Sequence, residues 1–419
     1  MANNIPTGQE YFFRPYRWVI LVAIALIQFT TNFANIQISA LAGNVIEAMN
    51  LTTAQFGAVA SCSFLGGAVF GFICGNFGDR YGIKKVIALT GIISIVGAII
   101  RVFSQNFATL FIGMFLIGIV MAALNANSAK IIARWFHPKQ MGLIMSIYVA
   151  LSTVGAVVAL SSTPILMARG MDIRGIFIIG LVTVVIAVIV WAILAREKPE
   201  GFPEETEVKS AAGHIKDVIG HKHLWLNSIA MFLMMGAFIS CSTYMVVGTV
   251  TYKGLTEIQA GAFSSISAIV AVPLMIIVPA IITKTGKIKG GTCLILAVGA
   301  ILVSLAWSRP NFTVPVMAIM IIGISLIGNG IPLMKQFPAY LPGIPEDSIG
   351  TAGGLQSTFQ NLGAFLVPSY ILGAIVGANI YIIFFGITIV VLIAALIMLF
   401  VPNINIKNPD APDAKAAEE

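Results

Sequence analysis

Charged side chains are scarce in this sequence of 419 residues. They make up 10% of it, against roughly a quarter in an average soluble domain, whereas hydrophobic residues make up 58% and the mean hydropathy is +0.96. A soluble fold of this size cannot bury so much apolar surface, which excludes a soluble enzyme, a disordered chain and a small secreted module. Because the apolar runs reach the length of about 20 residues that a membrane-crossing helix needs, we expect a polytopic helical membrane protein.

Cysteine and histidine are also rare, with four of each. The cysteines lie inside apolar runs, which predicts small buried side chains rather than disulfides or metal ligands. They are Cys62, Cys74, Cys241 and Cys293. The sequence contains no H-E-x-x-H and no G-x-S-x-G pattern, which argues against a membrane enzyme, and we expect no cofactor and no metal. The longest polar segment and the tail are too short for the signalling domain of a receptor.

No acidic residue falls inside a predicted membrane interior. Asp79 and Glu47 lie at span ends, and the other carboxylates lie in loops, helix ends or tails. Proton-coupled symporters usually carry an embedded carboxylate or histidine, and a carrier of organic cations needs an acid to hold its substrate. The inventory therefore leaves uniport, anion exchange, or symport in which the substrate brings the proton.

Apolar runs separated by turn and charge signals predict twelve membrane spans. They are 17–44, 51–77, 84–103, 107–135, 140–168, 173–195, 224–252, 256–283, 289–308, 312–341, 347–375 and 379–401. This predicts an N-terminal six-helix half at 1–195, a cytoplasmic linker at 196–223, a C-terminal six-helix half at 224–402 and a disordered cytoplasmic tail at 403–419.

The basic residues are unevenly divided between the two sides of these spans. With both termini on one side, that side carries 17 of the 24 lysines and arginines, the other side carries 4, and 3 lie within spans. Because Lys and Arg are retained on the cytoplasmic side, we expect a protein of the inner cell membrane with both termini cytoplasmic. The net charge of +7 thus reflects topology, and we expect no nucleic-acid partner.

The two halves repeat one another. The segment from Leu51 to Ala58 matches the segment from Leu255 to Ala262, 204 residues later, and Ile117 to Ile119 matches Ile322 to Ile324, 205 residues later. Six spans per half make this a parallel repeat, with a pseudo-twofold axis along the membrane normal and a substrate site between the halves.

The segment after the second span carries the motif G-N-F-G-D-R-Y-G-I-K-K, from Gly75 to Lys85. It resembles the loop signature of the major facilitator superfamily, which implies the major facilitator fold and a latch that favours the outward-open state. The latch residues implied are Asp79, Arg80, Gly82, Lys85 and Arg134. Asp79 can accept hydrogen bonds from a neighbouring helix N-terminus or pair with Arg134. In the second half Thr283 replaces the aspartate, which predicts an asymmetric latch.

The branch of the superfamily is indicated by a shorter segment. Ala133 to Lys139, A-R-W-F-H-P-K, resembles the end of the fourth helix in bacterial organic-anion carriers. The oxalate–formate, anion–cation symporter and cyanate-permease-like branches are examples.

Charges within the predicted spans are positive. Lys130 on the fourth span and Lys335 on the tenth are 205 residues apart, the offset of the repeat. In the superfamily these spans line the central cavity, so the pair could hold a carboxylate, although both lysines could instead extend to the membrane surface. Arg101 is interpreted as such an interfacial anchor. Pro332 and Pro338 bracket Lys335, which favours a gating helix or a static kink.

Polar uncharged residues in the spans are further candidates, because an unpaired amide in hydrocarbon is costly. The predicted substrate contacts, besides the two lysines, are Asn32, Asn125, Tyr148, Ser152, Tyr244, Asn329, Gln356 and Gln360. The leading hypothesis is a monomeric secondary active or facilitative transporter that moves a small organic anion, a mono- or dicarboxylate, by alternating access. The alternative is a carrier of a neutral or zwitterionic solute, amino acid or sugar-like, that uses the uncharged residues.

Overall fold

The regular elements that the structure describes are helices. The computed structural model of the protein describes residues 15–136, 141–199, 220–339, 341, 344, 349–375 and 379–403. The helices are α1 Tyr16–Ala40, α2 Ala42–Ala48, α3 Thr53–Tyr81, α4 Ile83–Val102, α5 Phe107–Trp135, α6 Met141–Ala168, α7 Ile173–Leu194, α8 Lys222–Lys253, α9 Glu257–Thr285, α10 Ile288–Ser308, α11 Val314–Met334, α12 Ile349–Leu366, α13 Gly373–Ile375 and α14 Ile380–Met398. A 3₁₀ turn at Phe337–Ala339 follows α11, and a π-helical turn at Val367–Leu372 joins α12 to α13.

Eleven of these helices are long and apolar enough to cross a membrane. The predicted twelfth span corresponds to the run 349–375, in which α12, the π-helical turn and α13 follow one another without a break. The predicted span 107–135 has the bounds of α5, whereas α11 ends at Met334 and not near residue 341. The predicted all-α membrane fold is confirmed.

One repeated segment has the same local structure in both copies. Thr52 and Gln55 exchange hydrogen bonds between side chain and backbone at the start of α3, with distances of 2.9 and 3.2 Å. Thr256 and Gln259 form the same pair at the start of α9, with distances of 3.0 and 3.2 Å. Each is a capping box, which satisfies backbone N–H groups that a helix start leaves unpaired. The repeated L-T-x-x-Q pattern is therefore a helix-start signal.

Contacts divide the chain into two compact units. The N-terminal unit holds residues 1–41 and 62–208, and the C-terminal unit holds residues 42–61 and 209–419. The first turns of α3 thus belong to the C-terminal unit. The boundaries predicted from sequence stay predictions, because residues 200–219 of the linker and 404–419 of the tail lie outside the described residues.

Each unit uses the same set of helix pairings. In the N-terminal unit α1 packs against α6 and α7, and α4 packs against α5 and α7. In the C-terminal unit α8 packs against α12 and α14, and α10 packs against α11 and α14. When the first span is matched to the seventh, these are the same four pairings. The internal repeat of the sequence is thus also a repeat of helix packing.

Glycine pairs allow one of these pairings to be close in both units. A Cβ on Gly97 of α4 would lie 2.7 Å from the carbonyl oxygen of Gly113 on α5. A Cβ on Gly299 of α10 would lie 2.8 Å from the carbonyl oxygen of Gly323 on α11. Because lipid tails are as apolar as leucine, membrane helices associate through such close backbone packing.

Candidate functional site

The N-terminal unit contains a polar cluster where α1 crosses α6. The Tyr148 hydroxyl donates to Gln28 Oε1 at 2.9 Å, and Gln28 Nε2 donates to the Ser152 hydroxyl at 3.2 Å. Asn32 Nδ2 donates to the Ser152 carbonyl at 2.8 Å and to its hydroxyl at 3.2 Å. We call these four residues the amide–hydroxyl cluster. It brings together three predicted site residues, Asn32, Tyr148 and Ser152.

The spacing of the sequence builds this cluster. Its members lie four residues apart on α1 and four apart on α6, so each pair shares one helix face. Gly155 lets the helices approach, since a Cβ there would lie 2.4 Å from the Phe29 carbonyl oxygen. Gln28 and Tyr148 are buried, whereas Asn32 and Ser152 are half-buried. The half-buried members can offer hydrogen bonds to an uncharged polar group of a solute.

Lys130 lies on α5, against α3 of the same unit. Its Nζ is 3.4 Å from the carbonyl oxygen of Gly75, and the side chain is half-buried. Asn127, almost one turn earlier, is fully buried and donates to the Cys74 carbonyl at 3.0 Å. Asn125 is exposed. The ammonium of Lys130 is therefore held near the backbone of a neighbouring helix.

Lys335 has different surroundings in the C-terminal unit. It directly follows α11 and is exposed, whereas Met334 and Phe337 on either side are fully buried. The described residues give it no carboxylate partner. Because Lys130 and Lys335 belong to different units, their predicted pairing stays a prediction.

The predicted amides of the C-terminal unit contact helix backbone and sulfur. Gln356 of α12 is 1% exposed, and its Nε2 donates to the Met334 carbonyl at 2.7 Å. Asn329 of α11 is fully buried and donates to the Ser325 carbonyl of its own helix at 2.8 Å. Gln360 is half-buried, with Nε2 at 3.7 Å from the sulfur of Met235. Gln356 thus joins α12 to the end of α11, Asn329 bonds within its own helix, and Gln360 is the more accessible of the three.

Tyr244 of α8 lies against the π-helical turn. Its ring is fully buried, and its hydroxyl lies 2.8 Å from the Pro368 carbonyl oxygen and 3.3 Å from the Thr53 carbonyl oxygen. Gly57 leaves room for the hydroxyl, since a Cβ there would lie 2.3 Å from it. A π-helical turn displaces backbone carbonyls from their usual partners, and Tyr244 supplies a donor to one of them.

The segment with the loop signature is organised by a residue that the sequence argument left in the linker. Glu197 pairs with Arg134 at 2.7 Å. Its two carboxylate oxygens also accept from the backbone N–H groups of Ile83 and Lys84 at 2.6 and 2.8 Å. A carboxylate is favoured there because unpaired N–H groups and the helix dipole meet at the start of α4.

Glu197 thus makes both kinds of contact predicted for Asp79, whose side chain lies outside the described residues, so the role of Asp79 stays a prediction. Gly82 has φ +97°, which only glycine adopts readily, and a Cβ there would lie 3.3 Å from Glu197 Oε2. Arg80 is exposed, with its guanidinium 5.3 Å from the Tyr81 ring centre, and Lys85 is exposed. An acid just past the end of the sixth span was the signal that sequence reasoning missed.

Arg101 corrects a prediction. It is fully buried in the N-terminal unit and does not extend to a membrane surface. Its guanidinium donates to the Ala34 carbonyl oxygen and, at 3.0 Å, to Gln37 Oε1, and it lies 4.5 Å from the Phe177 ring centre. The anchor interpretation is wrong because α1 supplies acceptors inside the unit that replace water around the charge.

Metal ligands do not cluster in the part of the chain that the structure describes, where no group of three or more His, Cys, Asp or Glu could hold a metal ion. Cys62, Cys74 and Cys241 are buried and Cys293 is half-buried, and all four are free thiols. His137 and His214, like Lys139, lie outside the described residues.

Comparison with known proteins places these features in context. The family model of the Major Facilitator Superfamily matches residues 19–368. The lysosomal dipeptide transporter MFSD1 of Danio rerio is 25% identical over 92% of this chain and 87% of that protein. The probable galactarate/D-glucarate transporter GudP of Bacillus subtilis is 21% identical over 96% of this chain and 95% of that protein.

Solved structures share the fold. A bacterial homologue of the human lysosomal transporter Spinster, inward-facing and occupied, superposes with a TM-score of 0.75. Its sequence is 16% identical, and the match covers 95% of this chain and 99% of that chain. At this identity the likeness carries the fold and no more.

Proposed function

Because the chain belongs to the major facilitator superfamily, we propose that it moves a small carboxylate-bearing solute across a membrane by alternating access. It is a multi-pass transporter and not an enzyme. The relatives found do not belong by name to the predicted branches of organic-anion carriers. They have the names of dipeptide and sugar-acid transporters.

The observation that carries the proposal is the exposed Lys335 beside a buried helix end. An ammonium within a membrane protein needs an anion, water or backbone carbonyls around it. Among the described residues no carboxylate pairs with it, so a solute carboxylate is a suitable partner. Dipeptides carry one carboxylate and glucarate carries two, so the chemistry shared by these two solutes is what Lys335 would recognise.

A neutral or zwitterionic solute is the second candidate function. The amide–hydroxyl cluster favours it, because Asn32 and Ser152 are half-buried and bind without charge. We assign the carboxylate contact to Lys335 rather than to Lys130, since the ammonium of Lys130 already lies near the Gly75 carbonyl.

Binding of alanyl-alanine, D-glucarate and D-xylose to the purified protein tests this proposal. We expect Lys335→Gln to weaken binding of the carboxylates roughly 10- to 150-fold, the range for one charge-assisted contact. Lys284→Gln is the matched control, because Lys284 is also an exposed lysine at the C-terminal end of a helix of the same unit. Wild-type affinity of both Lys335→Gln and Lys130→Gln for the carboxylates would favour the neutral solute instead.

We further propose that both termini are cytoplasmic, as the lysine and arginine bias indicates. The Glu197–Arg134 pair then ties the ends of α5 and α7 to the start of α4 on the cytoplasmic side. This is the place where the loop signature predicts a conformational latch. The MFSD1 relatives have names that place them in lysosomes. Localisation of the expressed protein would decide between a cell membrane and an organelle membrane.

A further inference from the structure

The end of α11 lacks a backbone donor. In an α-helix the carbonyl of Met334 would accept from the N–H four residues later, at position 338. That residue is Pro338, which has no N–H. Met334 is fully buried, so water does not replace the missing donor.

Two side-chain amides from other helices fill this gap. Gln356 of α12 donates to the Met334 carbonyl oxygen at 2.7 Å, and Asn227 of α8 donates to the same oxygen at 3.2 Å. Gln356 is 1% exposed and Asn227 is fully buried. The oxygen has two lone pairs, so the two amides complete its hydrogen bonding.

The bonded carbonyl belongs to the peptide unit that leads into Lys335. A peptide unit is planar, so its carbonyl oxygen, the Lys335 nitrogen and the Lys335 Cα move together. Holding the oxygen therefore fixes the plane of this peptide, and with φ −65° at Lys335 that plane orients the bond from the Lys335 Cα to its side chain. The same two amides tie that direction to the placement of α8 and α12.

We propose that Asn227 and Gln356 are positioning residues that aim the ammonium of Lys335 at the solute carboxylate. This inference rests on the proposed function, in which Lys335 contacts that carboxylate. Movement of α8, α11 or α12 relative to one another would turn the ammonium, so the site would change its affinity as the C-terminal unit changes shape.

A double-mutant cycle tests whether Gln356 acts through Lys335. We expect Gln356→Leu to weaken D-glucarate binding about tenfold, the lower end of the effect of losing the ammonium itself. In the Lys335→Gln background the same change should cost nothing further, because no ammonium is left to aim. Thr358→Val is the control, since that hydroxyl, on the same helix, bonds the Gly354 carbonyl of its own helix.

A second measurement does not depend on the solute. Lys335→Cys is introduced after the four native cysteines are replaced by alanine, and its rate of alkylation by N-ethylmaleimide is measured with Gln356 intact or changed to Leu. We expect a severalfold change in rate with Gln356→Leu and none with Thr358→Val. Gln356→Met, close in length and without a donor, repeats both measurements if Gln356→Leu does not fold.

The two measurements separate the inference from the proposed function. An unchanged alkylation rate, or additive losses of binding in the cycle with a normal Lys335→Gln effect, would overturn the positioning role. A changed alkylation rate with wild-type binding by Lys335→Gln would keep the positioning geometry and remove the carboxylate contact, and with it the proposed function.

Discussion

Lys130 and Lys335 hold the same place in the internal repeat and have different backbone surroundings. Helix α5 continues past Lys130 to Trp135, whereas α11 ends one residue before Lys335. The prolines at 332 and 338 correspond, 205 residues earlier, to Asn127 and Ala133, which both have an N–H. Lys130 thus lies within a continuous helix, whereas Lys335, between two prolines, lies at a helix end. Of the two lysines, Lys335 is exposed and Lys130 is half-buried.

A second comparison concerns the crossings of α1 with α6 and of α8 with α12. Both depend on a glycine, Gly155 in the N-terminal unit and Gly363 in the C-terminal unit. The first crossing carries the amide–hydroxyl cluster, whereas at the second the amide of Gln360 meets the sulfur of Met235. Both units therefore have a close helix crossing at a glycine, but the polar side chains at the two crossings differ.

The largest effect on stability is expected at a position where the units differ. Arg101 is fully buried, and its counterpart 205 residues later is the buried Ala306. Arg101→Leu removes the donors to the Ala34 carbonyl and to Gln37, which should lower the free energy of unfolding by about 3 kcal/mol, because each orphaned buried group costs about 1–3 kcal/mol.

Chemical unfolding in mixed micelles measures this effect. Arg101→Lys should recover little of the loss, since an ammonium cannot reproduce the planar fork of a guanidinium. Arg169→Leu is the control, because Arg169 is exposed. Equal stability of the Arg101→Leu and Arg169→Leu proteins would show that the buried guanidinium does not stabilise its unit.

A smaller effect is expected at the two helix crossings, where the units are alike. A Cβ on Gly363 would lie 2.0 Å from the Phe232 carbonyl oxygen, and a Cβ on Gly155 would lie 2.4 Å from that of Phe29. Gly363→Ala and Gly155→Ala should each cost about 1–3 kcal/mol of stability, the range for overpacking.

The control for both glycines is Gly354→Ala, where an added Cβ meets nothing within 4 Å. We expect that protein to be as stable as the wild type or up to about 1 kcal/mol more stable, from helix propensity. The interpretation of the crossings as equivalent would be contradicted if only one of the two substitutions were destabilising.

The smallest effect is expected at the capping boxes, where the repeat is closest. Thr52→Ala and Thr256→Ala each remove a side-chain acceptor for an N-terminal N–H group, and each should cost about 1 kcal/mol. Thr313→Ala should cost nothing by this mechanism, because Thr313 precedes α11 without a side-chain cap. Thermal unfolding of the three proteins measures these losses. Unequal losses at the two boxes would contradict their equivalence.

Much of the fold was predictable from local features of the chain. The span 107–135 matched α5 because Asn106 caps its start with a hydrogen bond to Thr109 and Pro138 follows its end. The predicted end of the tenth span was late because the apolar pattern continues after Met334, although Pro332 and Pro338 stop the α-helix there. Hydropathy does not depend on whether a residue has a backbone N–H group, so it did not predict that the helix ends at Met334.

The candidate site was predictable only where partners lie on a shared helix face. Gln28 and Asn32 are four residues apart, which puts them on one face of α1, and the structure joins that face to Tyr148 and Ser152. Gln356 was predicted as a substrate contact, and its partner in the structure is a backbone carbonyl on another helix. A backbone acceptor leaves no mark in the sequence of the residue that donates to it.

Hydrophobic length, period and motif are local features, and they were enough to predict the class of protein, the twelve spans, the internal repeat and the family. The tertiary structure was needed to show that Glu197 pairs with Arg134 and that Arg101 is buried. The physical reason is that a charged or amide side chain is satisfied by whichever atoms packing brings within about 3 Å. Those atoms lie on helices that are distant in the sequence.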